Sequence, residues 1–360
     1  MNTRCLLIVL MAITLVNCKK NVNPPPPSTP SKLTAKAVSS SQINLSWEDK
    51  ATNETGYKIE RKTINGSFSL VATIGANASS YSDNSLTKNT IYTYRIFPYN
   101  LTGNGGYSNE ATDTTYPDIL SGLVAYYPFN GDLLDSNVTS IKRNGVAGGS
   151  INYAGDRFGI SAKAVSFNSS LEGYVRTSSA INNLINTFTI SCWVNALSDD
   201  RIVNEGITGR EGPGYQMILH PTHGGAWGVA SENAGVGLCI STNQVAVLEH
   251  TNGFIAAPLV YNKVLNGWHL ITVVYENHIP KLYIDGVFVK NGKATTILNV
   301  RPSNGNDINN GYGDYSTSGF GRGFSPLGTP PIPQFNGSLD EFRIYNRALD
   351  QDEITFLSKN

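Results

Sequence analysis

The sequence predicts an all-β protein of two sandwich domains, and three observations carry that prediction. Short alternating apolar and polar stretches, broken by Gly, Asn, Pro and Ser, fill the chain after residue 31. No helix-period run of any length occurs before the last dozen residues. A segment at residues 18–31, with KKNVNPPPPSTPS following Cys18, carries five prolines and almost nothing apolar, so it reads as a stiff extended tether ahead of the folded part.

The chain begins MNTRCLLIVLMAITLVNCKK. Arg4 precedes an apolar run at 5–16 that is too short to span a bilayer, which reads as an export signal over residues 1–17. Leu15-Val16-Asn17-Cys18 resembles a bacterial lipobox, which implies cleavage before Cys18 and lipid on its thiol. The alternative is an ordinary signal with a free Cys18. Lys19 after the Cys resembles outer-membrane sorting, so the expected location is the cell envelope, at the outer membrane or cell surface. Loss of residues 1–17 removes only Arg4 and leaves 26 basic against 27 acidic residues. That balance argues against nucleic acid as a partner and leaves the lipid anchor as the membrane contact.

The first folded unit is expected at 32–116. INLSW (43–47) and GYKIERK (56–62) alternate like facing strands, and Trp47 is large enough to anchor a core between them. With Tyr92 after Leu86-Thr87-Lys88-Asn89-Thr90-Ile91, the segment resembles a fibronectin type III domain, Trp47 matching its buried tryptophan and Tyr92 its corner tyrosine. The resemblance implies a seven-stranded spacer or protein-binding module. No Arg-Gly-Asp-like loop is present in it.

The second unit is expected at 119–360. In PKLYIDGVFVK, Asp285-Gly286 supplies a tight hairpin turn, with Leu282, Ile284 and Phe288 on one face. GWHLITVVY is bulky on both faces, as a strand near the centre of a sandwich should be. ALDQDEITFL is a short helix with Asp350 and Glu353 set for a capping box. Together with LVAYYPFNGDLLDSN, KAVSFNSSLEGYVRTSS, FTISCWVNA and FNGSLDEFRIYNRAL, these segments resemble, in order, the laminin-G-like jelly rolls of the concanavalin A-like lectin/glucanase superfamily.

Strict pleating along Leu339–Tyr345 sends Asp340 inward with Phe342 and Ile344, and Glu341 outward with Arg343. Acids on opposite faces cannot flank one glycosidic bond. The resemblance implies a structural calcium at Asp340, helped by Asp135 in the early Asp-Leu-Leu-Asp-Ser-Asn loop; the alternative is an Asp340 held by backbone N–H groups. Cys192 and Cys239 are free to pair in an oxidising compartment, or Cys192 is a buried thiol. Trp193, on the polar side of its strand, is either a stacking platform for a sugar or covered by a loop. Glu249-His250 closes the run VAVLEH and is expected to line a ligand loop or to hold a turn. Tyr312, Tyr315 and Arg322 lie in NGYGDYSTSGFGRGFSPLG, whose six glycines suit a binding loop or a plain insertion.

No Glu-x-Asp-x-x-Glu, the acidic spacing of the superfamily's glucanases, occurs in the chain. The expectation is therefore a cell-surface lipoprotein binding polysaccharide or glycoprotein, and not an enzyme. Two alternatives stand beside it. One is a divergent glycoside hydrolase or lyase using Glu249, His250 and an acid from the 199–211 loop; the other is a passive structural spacer.

Overall fold

The computed structural model describes residues 23–138, 142–168, 173–176, 184–206, 215–221, 233–251, 254–302, 319–321 and 334–360. The chain forms two compact units, Met1–Tyr116 and Pro117–Asn360.

In the first unit, strands Ser31–Ala37, Ile43–Glu48 and Ser80–Asp83 form one sheet. Strands Ser69–Gly75, Gly56–Thr63 and Ile91–Asn100, with the short Gly103–Asn104 and Ala111–Thr114, form the other. Alternation does what it should: Ile43, Leu45 and Trp47 point inward, and Trp47 meets Tyr57 at 5.6 Å. The Tyr92 hydroxyl accepts from the Thr87 amide at 3.0 Å, closing the corner.

The proline segment is docked on this unit. Pro27 and Pro30 are buried. Asn53 and Asn100 side-chain amides donate to the Pro25 carbonyl at 2.8 and 2.9 Å, and the Thr102 hydroxyl donates to that of Pro24 at 2.7 Å. Prolines lack an N–H but keep a carbonyl acceptor, and here side-chain donors bind it. The expected Pro-rich tether is thus bound to the first unit from Pro24 onward.

The second unit packs two eight-stranded sheets face to face. One runs Asn152–Ala154, Ala164–Phe167, Gly337–Tyr345, Phe188–Ala196, Trp268–Glu276, Ile279–Ile284 and Val287–Asn291, with Leu123–Tyr127 beside Gly337–Tyr345. Helix Gln351–Lys359 covers its outer face, placing Ile354 and Leu357 against Leu270, Val274 and Tyr345. That cover explains why Trp268–Glu276 is apolar on both sides. The Asp350–Glu353 capping box is formed. The second sheet runs Val146–Gly148, Tyr174–Arg176, Gly319–Phe320, Met217–Leu219, Asn233–Ser241, Gln244–Thr251 and Phe254–Tyr261. Asn299–Pro302 pairs parallel to Asn233–Ser241. Phe320 of the second sheet meets Phe342 of the helix-covered sheet at 4.3 Å, and Tyr127 at 5.2 Å. Gly321 follows at φ +80°, where a Cβ would lie 2.3 Å from the Phe167 ring, so only glycine fits.

Strict pleating fails at the two acids. Ser191 pairs with Arg343 and Trp193 with Asp340, so Glu341 and Phe342 together oppose the single residue Cys192. Glu341 takes φ +54°. This is a β-bulge. Leu339, Phe342 and Ile344 all enter the core, and both Asp340 and Glu341 leave it. A second register shift follows Leu282, so Phe288 pairs with Tyr283 rather than sharing the face of Leu282.

The docked proline segment yields a prediction. Asn100→Ala removes its donations to Pro25 and Asn53 and its acceptor for the Thr102 amide. It should destabilise the first unit by about 2 kcal/mol, read by urea unfolding with hydrogen exchange in peptides of 31–116. An unchanged midpoint would mean the prolines are not held.

Candidate functional site

The bulge gathers charges on the outer face of the helix-covered sheet. Asp340 is 3% exposed and ion-paired with Arg157 at 3.0 Å. The Arg157 guanidinium also lies 4.8 Å over the Trp193 ring and 4.4 Å over that of Phe158. Trp193 is therefore half-buried beneath Arg157 and beside the helix cluster. Glu341 pairs with Arg343, as expected, and accepts from the Tyr126 hydroxyl at 2.8 Å. Burial, aided by the Glu341 charge, pushes Asp340 up to about 7 while Arg157 pulls the other way. Each carboxylate has its own guanidinium, so the arrangement is two adjoining ion pairs.

Asp135 is saturated differently. Its Oδ1 accepts from the amides of Tyr126 and Asn137 and its Oδ2 from that of Arg143, each at 3.0 Å. Amide hydrogens point where a cation would have to sit, and at Asp340 a guanidinium does the same. Among the described residues no group of three or more His, Cys, Asp or Glu side chains is placed to hold a metal. In this arrangement the two acids do not fit a shared calcium centre.

Glu249 and His250 part company across the second sheet. Glu249 pairs with Val236, and Val245, Val247 and Val236 all face the inter-sheet core. The carboxyl is fully buried and accepts from the Tyr275 hydroxyl at 3.0 Å, and the Thr295 hydroxyl also acts on it. Burial pushes it up to about 7, against the opposing pull of the Thr295 and Tyr275 hydroxyls. Glu249 is thus an interior acid, not a loop ligand, which corrects the expectation from VAVLEH.

His250 is on the outer face. Its Nδ1 lies 3.0 Å from the Pro221 carbonyl, so that nitrogen carries the hydrogen and Nε2 is the other end of the ring. Gly235 pairs with His250 on one side and with Arg301 on the other. Arg301 follows the core residue Val300, so it shares the outer face. The row Arg301–Gly235–His250 sets a guanidinium and an imidazole on strands roughly 10 Å apart, with no Cβ between them. Arg301 drew no notice in the sequence, because a four-residue strand pairing in parallel leaves no local pattern.

Asp200 lies on the same outer face, further along the strands. It accepts from the Gln216 amide at 2.7 Å and from the Cys239 thiol at 3.3 Å, and burial raises its pKa. Asn243 and Gln244 donate to the Asp200 and Arg201 carbonyls, pinning the 197–206 loop over the sheet. Asp200 and Glu249 sit on opposite faces, so Glu249, His250 and this acid form no single constellation. Trp193 belongs to the other sheet. Cys192 and Cys239 are both free and buried. Cys192 faces the inter-sheet core and Cys239 the outer cluster of the second sheet, so the disulfide does not form. Cys18, Tyr312, Tyr315 and Arg322 lie outside the described residues.

Comparison with known proteins follows this architecture. Residues 168–355 match the family model of the concanavalin A-like lectin/glucanases superfamily, and residues 28–114 match that of the fibronectin type III domain. The chain belongs to that superfamily, with a fibronectin type III domain preceding the matched part. An α-amylase of Niallia circulans is 37% identical over 93 residues, which is 25% of this chain and 7% of that enzyme's length. Domain 4 of AbnA, an extracellular arabinanase of Geobacillus stearothermophilus solved with arabinotriose, is 20% identical at a TM-score of 0.42, covering 66% of this chain and 98% of that one. The binding domain of botulinum neurotoxin DC, solved with SialylT, is 16% identical at 0.45, covering 67% of this chain and 51% of that one.

Arg157→Ala should destabilise the second unit by about 3 kcal/mol at about pH 8.5, where it strands an ionised buried carboxylate. The loss should shrink at about pH 5, where Asp340 is protonated. Denaturation at both pH values reads the difference. In an Asp340→Asn background the pH dependence of the loss should vanish.

Proposed function

We propose that the protein is an exported lipoprotein that captures carbohydrate, free or on a glycoprotein, on the outer face of the second sheet. The carrying observation is the Arg301–Gly235–His250 row, which sets a guanidinium and an imidazole on one face of the second sheet. Guanidinium and imidazole groups of this kind can donate to the hydroxyl and acidic groups of a sugar. Membership in a superfamily named for lectins and glucanases supports the ligand class. The fibronectin type III domain acts as the spacer, and the Cys18 thiol as the point of lipid attachment.

The test uses full chain bearing Cys18→Ser on a glycan array, with and without chelator. A ligand should appear, and His250→Ala should weaken it about tenfold or more. Silence across polysaccharides and glycoproteins, or binding indifferent to His250→Ala, contradicts the reading. The chelator arm reads the calcium expectation directly. In cells fed a labelled fatty acid, label on the wild type should disappear in Cys18→Ser; retained label would exclude Cys18 as the attachment point.

A further inference from the structure

A buried acid lies close to a thin crossover between the sheets, within reach of one of its hydroxyls. After Val287–Asn291 the chain leaves the helix-covered sheet. Gly292 donates to the Pro280 carbonyl and Lys293 to that of Pro258, each at 2.7 Å. At the far end Val300 is fully buried, and its carbonyl accepts from the Asn186 amide at 2.7 Å. Between these anchors runs a strap, residues 294–298. The Thr295 amide holds it to the His278 carbonyl at 3.2 Å, and the Asn186 side chain donates to the Leu298 carbonyl at 2.9 Å. Ala294, Thr296 and Leu298 are exposed, while Ile297 packs against the core and its amide donates to the Thr295 hydroxyl at 3.2 Å. The hydroxyls of Thr295, in the strap, and of Tyr275, on the facing sheet, both act on Glu249.

We propose that Glu249 is a proton-controlled latch for this strap: protonated it lies dry between Tyr275 and Thr295, and ionised it draws water in and releases residues 294–298. Removing a carboxylate from water without a charge partner is costly, and a lightly bonded cover is the cheapest thing to move. Among the described residues, the groups around Glu249 include no charge partner for it. Strand Trp268–Glu276 offers Tyr275, itself stacked on Phe188 at 4.7 Å. The neighbouring strands bring Val236 and Ala256 opposite it. Strand Asn299–Pro302 presents Val300 to the core, with Arg301 on the opposite face. The turn offers the His278 carbonyl to the strap. Among the described residues, the groups acting on Glu249 are Thr295 and Tyr275, both uncharged. The strap leads directly into the strand that carries Arg301, so its release would also loosen one end of the proposed binding row. The latch itself stands apart from that reading.

The sign is fixed by linkage. A folded-state pKa raised from 4.5 to about 7 gives stabilisation that is full below the unfolded value and is lost as pH rises through 7. Hydrogen exchange of the full chain at about pH 6 and about pH 8.5, corrected for intrinsic rates, should show strap amides opening about tenfold or more often at the higher pH. Glu249→Gln should flatten that response, and Asp340→Asn should leave it in place. If Glu249→Gln folds poorly, Tyr275→Phe serves: losing a donor that favours the charged form should move the midpoint upward. A flat wild-type response, a response that survives Glu249→Gln or vanishes in Asp340→Asn, or an unmoved midpoint in Tyr275→Phe would overturn the latch.

Discussion

One extra residue in one strand organises the second unit. With Glu341 and Phe342 opposite Cys192, strand Gly337–Tyr345 keeps Leu339, Phe342 and Ile344 in the core while turning two consecutive acids outward. The core then holds the Phe320–Phe342–Tyr127 ring cluster that joins the sheets, without a carboxylate among the rings. Cys192 fits the bulge because it is small, and its thiol donates to the Asp340 carbonyl at 3.5 Å. A larger side chain there would press on the bulged backbone.

The charges on the outer face follow from that bend. The Glu341 charge raises the cost of ionising Asp340, and each acid is answered by an arginine from a different direction. Arg157 comes from a loop and also donates to the carbonyl of Asn360. It therefore ties that loop, the bulge and the chain end together. The interior of the sandwich contains a different acid, Glu249, which among the described residues meets the Thr295 and Tyr275 hydroxyls and no guanidinium. Desolvation raises the pKa of both Asp340 and Glu249, but the outward acid has a guanidinium partner whereas the inward one meets only hydroxyls among the described residues.

Much of the fold was legible because local chemistry and tertiary demand agree. Ile43–Glu48 alternates cleanly, Asp285-Gly286 adopts positive φ at both positions, and Asp350 and Glu353 cap the helix as their spacing implies. The candidate site was less legible, for identifiable reasons. Pleating arguments assume period two, and a bulge breaks that period without changing composition; apolar residues at 339 and 342 with acids between them were the one available hint. In VAVLEH both faces are apolar, since the 197–206 loop covers the outer one, so alternation could not say which side of Glu249 was the core. Arg301 lies some 50 residues from His250 in sequence, and only the parallel pairing through Gly235 brings them together. The proline segment reads as a tether by composition, and the asparagines that bind it are far along the chain.

The bulge can be tested by deletion. Removing Glu341 leaves Leu-Asp-Phe-Arg-Ile-Tyr, in which strict alternation still sends Leu339, Phe342 and Ile344 inward. Removing Arg343 instead inverts Ile344 and Tyr345. Denaturant unfolding of the two deletion chains should show a cooperative second unit within about 2 kcal/mol of wild type for the first and loss of cooperative folding for the second. Equal damage from both deletions, or tolerance of the Arg343 deletion alone, would contradict the account.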